Sequence, residues 1–157
     1  MNEMQHTWTV FVDGASRKNP GKSGAGIFIE KDGETVCSEG FYLGIKTNNQ
    51  AEYLALLLAL HFIDQYASQS DIIRIASDSE LMVKQLKGIY RIKNEGLQPL
   101  YHLAKIYFAK YPIEVLHVLR ENNKKADALA NKGVDTLNRV PDTFKALLER
   151  HHIALEL

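Results

Sequence analysis

Polar and apolar residues alternate along three segments near the amino terminus, and this period of two predicts three strands. Residues 7–12 are rich in aromatic and β-branched side chains, and residues 25–30 and 35–43 repeat the pattern. The Asp32-Gly33 step between the second and third segments favours a tight hairpin. Residues 14–23 are dense in turn formers and are predicted as a loop. We therefore expect an antiparallel meander of three strands.

The hydrophobic period changes from two to helical spacing after residue 46. The apolar stripe that follows consists of Ala51, Leu54, Ala55, Leu58 and Phe62. Thr47 and Asn48 are suitable helix caps, and Thr47 with Gln50 has the spacing of a capping box. These features predict an amphipathic helix that runs to about residue 66.

The rest of the chain alternates short apolar runs with helical patterns. Strands are predicted at 72–76 and 114–118, and helices at 79–87, 97–110, 123–137 and 142–151. Asn122 or Asn123 is expected to cap the helix at 123–137. This order predicts an α/β fold with a five-stranded mixed sheet flanked by helices. The first three strands are antiparallel, and helical crossovers then make parallel connections. We expect one domain over 1–138 and a helical extension over 139–157.

Composition narrows the class of protein without identifying it. The chain has 157 residues, 45% of them hydrophobic and 24% charged, which is ordinary for a globular domain. The single cysteine, Cys37, excludes an internal disulfide and fits a reducing compartment. Residues 1–7 lack a signal-type apolar stretch, and the run at 55–60 is far shorter than the ~20 residues that span a bilayer. We expect a cytoplasmic protein with no membrane contact and no evident obligate protein partner.

Net charge argues against a tight, non-specific nucleic-acid binder. Lys plus Arg total 19 and Asp plus Glu total 19, so the formal charge is zero. Proteins that hold nucleic acid by electrostatics alone are usually basic. An enzyme that needs only transient contact with a polynucleotide remains compatible with this balance.

Four carboxylates occupy positions where solvated surface acids are not expected. Asp13 ends the first apolar strand, Glu52 lies in the first turn of the first helix, Asp78 follows the fourth strand, and Asp127 lies in the helix at 123–137. Burying acids is costly unless something neutralises them. Parallel first and fourth strands would bring Asp13 and Asp78 to the same sheet edge. Hard cations such as Mg²⁺ and Mn²⁺ prefer oxygen ligands, so the pattern predicts a carboxylate metal site and phosphoryl-transfer chemistry.

Each acid also has a simpler structural interpretation. Asp13 fits a turn-forming Asp-Gly step, Glu52 fits an acid that complements the helix dipole, and Asp78 fits a helix N-cap. Asp127 lies in an otherwise apolar helical segment and is harder to explain in this way. Four coincidences in this order are improbable, so we favour the shared site.

Four sequence motifs in the same order resemble those of type 1 ribonucleases H over residues 8–133. They are Asp13-Gly14-Ala15-Ser16 with Asn19-Pro20-Gly21, Thr47-Asn48-Asn49-Gln50-Ala51-Glu52, Ser77-Asp78-Ser79, and the segment 120–130, RENNKKADALA. Any one motif is a weak signal, but four in order around the predicted elements are specific. The resemblance implies a ribonuclease H-like fold.

The resemblance also implies an activity and a set of site residues. The activity is metal-dependent endonucleolytic hydrolysis of the RNA strand in RNA/DNA hybrids, leaving 3′-hydroxyl and 5′-phosphate ends. Asp13, Glu52, Asp78 and Asp127 would be the catalytic residues and the ligands of two Mg²⁺ ions, with Mn²⁺ as the alternative. Gly14, Asn48 and Asn49 would contact ribose 2′-hydroxyls, the groups that distinguish RNA from DNA.

Three further residues are candidates for substrate contact or turnover. Arg120 has the fork of donors that suits a phosphate, with a surface ion pair as its alternative. Asn123 precedes Asp127 by one helical turn and is expected to reach the scissile region. His117 corresponds by spacing to a family histidine that assists product release, although it falls at a predicted strand end.

Departures from the family pattern keep alternatives open. Many relatives carry a basic, Trp-containing protrusion after the second helix, whereas residues 88–96 are short and contain only Arg91 and Lys93 as cations. A nuclease that prefers other RNA-containing duplexes is therefore one alternative. A non-catalytic nucleic-acid binder on the same scaffold is another. Strand-transfer enzymes of this fold usually have a different acidic spacing and additional DNA-binding domains.

Overall fold

A five-stranded mixed sheet forms the centre of the protein in a computed structural model, which describes residues 4–156. The strands are β1 (Thr7–Ser16), β2 (Gly21–Lys31), β3 (Glu34–Lys46), β4 (Ile72–Ser77) and β5 (Ile113–His117). The helices are α1 (Asn48–Tyr66), α2 (Glu80–Leu86), α3 (Gln98–Lys110), α4 (Lys124–Thr136) and α5 (Asp142–Arg150), with a 3₁₀ turn at Arg120–Asn122. The predicted α/β fold is confirmed.

The strand order is β3-β2-β1-β4-β5. The β1–β2 and β2–β3 pairs are antiparallel, whereas β4 pairs parallel with both β1 and β5. In the β1–β4 register Val12 lies opposite Ser77, so the next residue of each chain segment, Asp13 and Asp78, emerges at the same edge. The topology thus brings together two acids that are 65 positions apart.

The loop predicted at 14–23 is mostly strand, which corrects the sequence interpretation. β1 continues to Ser16 and β2 begins at Gly21, so residues 17–20 alone connect them. Side-chain contacts extend the pairing: the Ser16 backbone N–H donates to Asn48 Oδ1 at 3.0 Å, and the Ser23 hydroxyl donates to the Lys46 carbonyl at 3.1 Å. The small residues of this stretch permit close packing of the strands. The same residue types are common in turns, which is why the sequence pattern predicts a loop here.

Helix α1 is buried on nearly all sides between the sheet and α3. The capping box is present: Gln50 N–H donates to Thr47 Oγ1, and Thr47 N–H donates to Gln50 Oε1. A helix that is apolar around its circumference belongs in a core, and residues 51–60 of α1 are all buried. Because α1 begins at Asn48, Glu52 lies in the second turn, and its predicted placement in the first turn is wrong.

Helix α4 covers the opposite face of the sheet and approaches it closely at Gly26. A Cβ atom added to Gly26 would lie 2.0 Å from the Ala126 carbonyl oxygen. Gly26 is also the register partner of Asp13, so this contact sets α4 beside the end of β1. Asn123 occupies the N-cap position of α4, one of the two residues predicted there, but its side chain makes no capping hydrogen bond and instead turns inward to the Val12 carbonyl.

Helix α5 shares the hydrophobic core of the sheet and α1. Phe144 and Leu148 are fully buried, Leu147 is nearly so, and the Phe144 ring lies 5.7 Å from that of His61 on α1. The boundary between residues 138 and 139 stays a prediction, although the extension packs on the same core. Within residues 4–156, no helix has the length and apolar character needed to cross a bilayer.

Candidate metal centre and active-site cleft

An open cleft of about 390 Å³ lies at the edge where β1 and β4 end. Its lining residues come from the end of β1, the start of α1, the residues after β4, the 3₁₀ turn and the first turn of α4. They are Asp13, Gly14, Ala15, Ser16, Asn48, Asn49, Glu52, Asp78, Ser79, Arg120 and Asp127. All four predicted carboxylates therefore line one cleft.

Three of the carboxylates are close enough to hold a common ion. Asp13, Glu52 and Asp78 each offer an oxygen atom, and these atoms lie within 4.8 Å of one another. Asp127 is half-buried, and its side chain lies close enough to Asp13 to raise the pKa of that carboxyl group. We refer to Asp13, Glu52, Asp78 and Asp127 as the acid cluster.

Asp13 belongs to the sheet and not to a turn. It pairs with Gly26 inside the β1–β2 ladder, and the strand continues for three more residues. Only 6% of its surface is exposed. The turn interpretation of the Asp-Gly step is therefore wrong, because the glycine serves a packing contact instead.

Gly14 fixes Glu52 against the end of β1. The Gly14 backbone N–H donates a short hydrogen bond to Glu52 Oε1. A Cβ atom at Gly14 would lie 2.1 Å from the Ala51 carbonyl carbon, so only glycine allows β1 and α1 to meet here. Glu52 is buried and touches this strand-to-helix junction, and it does not complement the helix dipole as its simpler interpretation required.

Ser79 caps α2 and thereby leaves Asp78 free. The Ser79 hydroxyl accepts a hydrogen bond from Met82 N–H at 3.2 Å, so the capping role considered for Asp78 belongs to its neighbour. The Ser79 side chain also lies beside Glu52 in the cleft and acts to lower the pKa of that carboxyl group, against the larger effect of burial. Sequence reasoning missed Ser79 as a site residue, although serine before a short helix is itself a capping signal.

The acid cluster is electrostatically strained without a cation. Burial raises the pKa of Asp13 far above its usual range, and the charges of Glu52 and Asp78 raise it further. Burial also raises the pKa of Glu52, against the opposing effect of the Gly14 N–H. Three acids in a poorly solvated space repel one another. Their all-oxygen donor set fits a hard divalent cation, which would remove that repulsion.

The predicted substrate-contact residues Gly14, Asn48 and Asn49 lie beside the acid cluster. Both asparagines are exposed at the start of α1. Asn48 is held in place, because its N–H donates to Asn19 Oδ1 at 3.0 Å and its side-chain oxygen accepts from Ser16. Asn19 is a second residue whose positioning role was not predicted. The motif that contains it supports the family resemblance but does not predict its contact with Asn48.

Arg120 also lines the cleft, and its side chain is exposed. It forms no ion pair with any residue in the described range 4–156, so the surface ion-pair alternative has no support. Its guanidinium group is therefore available to an anion in the cleft.

Two other candidates do not reach the cleft surface. Asn123 is 1% exposed and donates from Nδ2 to the Val12 carbonyl at 2.9 Å, so it contacts protein where substrate contact was expected. His117 ends β5 opposite Ser77, is exposed, and is not among the cleft-lining residues of the described chain. Its part in product release stays a prediction.

The sheet order, the helices on its two faces and the acids at the β1–β4 edge define a class, the ribonuclease H-like α/β proteins. A family model described as reverse transcriptase-like matches residues 11–133. The crystal structure of RNase H1 from the halophilic archaeon Halobacterium salinarum is 35% identical, with a TM-score of 0.78, and the match covers 83% of this chain and 98% of that one. The chain belongs to the ribonuclease H family and, within it, to the type 1 ribonucleases H.

Three further relatives are similar to the chain in structure or sequence. LC11-RNase H1, solved in complex with an RNA/DNA hybrid, is 32% identical with a TM-score of 0.75, covering 82% of this chain and 97% of that chain. The curated ribonuclease HI of H. salinarum is 37% identical over 127 residues, and the bifunctional protein Rv2228c of Mycobacterium tuberculosis is 35% identical over 127 residues. These matches cover 80% and 79% of the chain but only 63% and 34% of those relatives.

Proposed function

We propose that this protein is an endoribonuclease that hydrolyses the RNA strand of RNA/DNA hybrids. The observation that carries the proposal is the convergence of Asp13, Glu52 and Asp78 within 4.8 Å, beside the exposed asparagines of α1. Similarity to LC11-RNase H1, whose crystal structure contains a hybrid, supports the substrate class. We assign Asp13, Glu52, Asp78 and Asp127 as catalytic residues.

The same four carboxylates would hold two Mg²⁺ ions, with Mn²⁺ as the alternative. When bound, a pair of such ions supplies the Lewis acidity that activates a water and steadies the leaving oxygen of a phosphodiester. The protein contributes the arrangement: Gly14 orients Glu52, Ser79 leaves Asp78 uncapped, and the fold holds Asp13 away from bulk water. In-line attack on phosphorus would leave 3′-hydroxyl and 5′-phosphate ends.

Recognition of RNA follows from the polar groups beside the cluster. The oxygen of the Asn48 amide is engaged by Ser16 N–H, which turns its NH₂ group outward as a donor. A donor in this place suits a ribose 2′-hydroxyl, which accepts as well as donates and is absent from DNA. Asn49 and the backbone at Gly14 complete the polar rim, and Arg120 would bind a phosphate through its guanidinium fork.

A broader preference for RNA-containing duplexes is a second candidate. Residues 88–96 carry Arg91 and Lys93 against Glu95, so the region that grips DNA in larger relatives contributes little net charge here. Weak affinity for the DNA strand would reduce discrimination against RNA/RNA duplexes. For location we propose a reducing cytoplasm, because the single cysteine, Cys37, forms no internal disulfide and is buried.

The decisive experiment compares duplexes of one sequence. RNA/DNA, RNA/RNA and DNA/DNA substrates are incubated with the protein over a titration of Mg²⁺ and Mn²⁺, with EDTA as the blank. We expect cleavage of the hybrid's RNA strand alone, and none in EDTA. Equal cleavage of RNA/RNA would favour the second candidate. Cleavage that survives EDTA, or binding without cleavage, would overturn the proposal, the latter in favour of a non-catalytic binder.

A further inference from the structure

Asn123 is a buried amide residue at the junction of three parts of the cleft. Its Nδ2 donates to the Val12 carbonyl at 2.9 Å. Its backbone N–H donates to the Arg120 carbonyl at 3.0 Å, and its own carbonyl accepts from Asp127 N–H at 3.1 Å. We call these three hydrogen bonds the Asn123 clamp.

Each partner in the clamp adjoins or is a cleft residue. Val12 immediately precedes Asp13 on β1, while Asp127 and Arg120 line the cleft themselves. The clamp therefore joins the strand that carries one carboxylate to the helix that carries another. The side-chain bond to Val12 is the link that crosses between these two elements, which are more than a hundred positions apart.

Helix capping does not explain this asparagine. The side chain of an N-cap asparagine normally accepts a backbone N–H from the first helical turn, yet the Asn123 side chain makes no such bond although the residue occupies the N-cap position. Its Oδ1 is buried without a hydrogen-bond partner in the described chain. The Asn123 side chain therefore serves the bond to Val12 and not the end of the helix.

Other contacts between α4 and the sheet are made by residues inside the helix. The backbone of Ala126 and Ala130 approaches Gly26 closely, and the backbone of Leu129 approaches Gly40 in the same way, so α4 is held on β2 and β3. The Asn123 side chain adds a directed hydrogen bond to β1 from the residue that precedes the helix, one turn before Asp127.

We propose that Asn123 is a positioning residue that holds Asp127 against Asp13 in the arrangement that the metal ions need. This inference rests on the proposed function, because it assigns Asn123 to the same site. It replaces the expected substrate contact, which a side chain that is 1% exposed does not make. Sites that bind metal or reacting groups lose function when supporting hydrogen bonds are removed.

The test uses the full chain with Asn123→Ala and with Asn123→Leu, which keeps a side chain of similar volume but neither polar atom. Two controls separate the possible causes. Asn122→Ala removes the exposed amide next door, and Val134→Ala removes buried packing from the same helix without touching the clamp. Mn²⁺ affinity is measured by calorimetry on metal-free protein, and kcat and KM are measured on a hybrid well below every melting temperature.

We expect both Asn123 variants to lose about 10- to 100-fold in Mn²⁺ affinity, with a similar fall in kcat and a KM for the hybrid within about twofold of wild type. Asn122→Ala should match wild type, and Val134→Ala should lose stability but neither Mn²⁺ affinity nor kcat. A raised KM with unchanged Mn²⁺ affinity would overturn the proposal in favour of substrate contact. Equal losses in Val134→Ala would overturn it in favour of a general packing role.

The calorimetric arm keeps this inference distinct from the proposed activity. Wild-type protein that binds Mn²⁺ but cleaves no hybrid would refute the ribonuclease, while a loss of Mn²⁺ affinity in the Asn123 variants would still support the clamp. Wild-type protein that binds no Mn²⁺ would refute both.

Discussion

Two buried aspartates at opposite ends of the sheet have opposite environments. Asp71, just before β4, is 1% exposed and accepts three hydrogen bonds of 3.0 Å, from Trp8 Nε1, His6 N–H and Ser68 N–H. Asp13, at the other end of β1, is 6% exposed and faces other acids. Burial alone would raise the pKa of both, but the donors around Asp71 outweigh it and lower its pKa, whereas Asp13's pKa rises.

The comparison separates an acid with a structural role, Asp71, from an acid that we propose to be catalytic, Asp13. The charge of Asp71 is stabilised by hydrogen-bond donors of the protein, which also tie the amino terminus to β4. The charge of Asp13 is repelled by neighbouring carboxylates, so it needs a ligand from outside the protein to stabilise it. Proteins keep such unfavourable arrangements at sites where function requires them. Changes at the two aspartates should therefore act in opposite directions.

The largest expected effect is at Asp13. Asp13→Asn should reduce hybrid cleavage to below about 10⁻³ of the wild-type rate, because the metal ligand is lost. The same change should raise the melting temperature of metal-free protein by a few degrees, since it relieves repulsion. Gel assays and calorimetry in EDTA measure the two. A destabilised Asp13→Asn protein would mean that Asp13 resembles Asp71 after all.

The second-largest effect is expected at Asp71, where the substitution should lower stability and leave cleavage unchanged, the reverse of the result at Asp13. Asp71→Asn weakens a charge-assisted group of three hydrogen bonds, so we expect a loss of about 1.5–3 kcal/mol in the free energy of unfolding. Hybrid cleavage at low temperature should stay within about twofold of wild type, because Asp71 lies outside the cleft. Urea denaturation gives the stability. Trp8→Phe removes one of these donors and also leaves a cavity, because Trp8 is 2% exposed, so it should show a loss of the same sign.

The third effect is a pH dependence of stability in metal-free protein. Asp13 and Glu52 have raised pKa values in the folded state, so the folded protein binds more protons than the unfolded chain above pH ~4. Stability should fall as pH rises from about 4 through neutrality, and saturating Mg²⁺ should flatten the slope. Melting curves at pH 5 and pH 8 measure this. The slope should shrink in Glu52→Gln but persist in Asp71→Asn.

The smallest effect is at Ser79, which caps α2 and lies beside Glu52 in the cleft. Ser79→Ala should cost about 1 kcal/mol of stability through the lost cap. Because the same hydroxyl also supports Glu52, we expect a modest, two- to fivefold fall in Mg²⁺ affinity, on the order of 0.5–1 kcal/mol. Ser79→Thr is the matched control, since threonine also caps helices. A Thr variant as weak as Ala would show that the hydroxyl is not the cause.

Much of the fold was predictable because its signals are local. The alternation of residues 7–12 and 72–76 marks β1 and β4, and their apolar runs end at Asp13 and Asp78. The parallel crossover then brings those acids together by topology alone. The capping box at Thr47 and Gln50 could likewise be predicted from the sequence, since both partners lie within one helical turn.

The parts that sequence missed depend on contacts between distant segments. The Asn123 side chain turns inward because it donates to the carbonyl of Val12, 111 positions away, whereas its local sequence favours a cap. Residues 14–23 are glycine- and serine-rich for close packing, and composition alone does not separate that from a loop. The burial of Phe144 against α1 is equally non-local, so the docking of α5 had no signal in its own segment.

The pairing of Asp13 with Gly26 has a consequence for how this architecture can vary. Side chains alternate between faces of a sheet, so a shift of one residue between β1 and β2 would send Asp13 to the wrong side and seat a different residue under α4. An insertion within the paired strands would therefore displace Asp13, and one in the connection at residues 17–20 would disturb the contact of Asn19 with Asn48. Of the possible single-residue registers of the β1–β2 hairpin, only this one keeps Asp13 in the cleft.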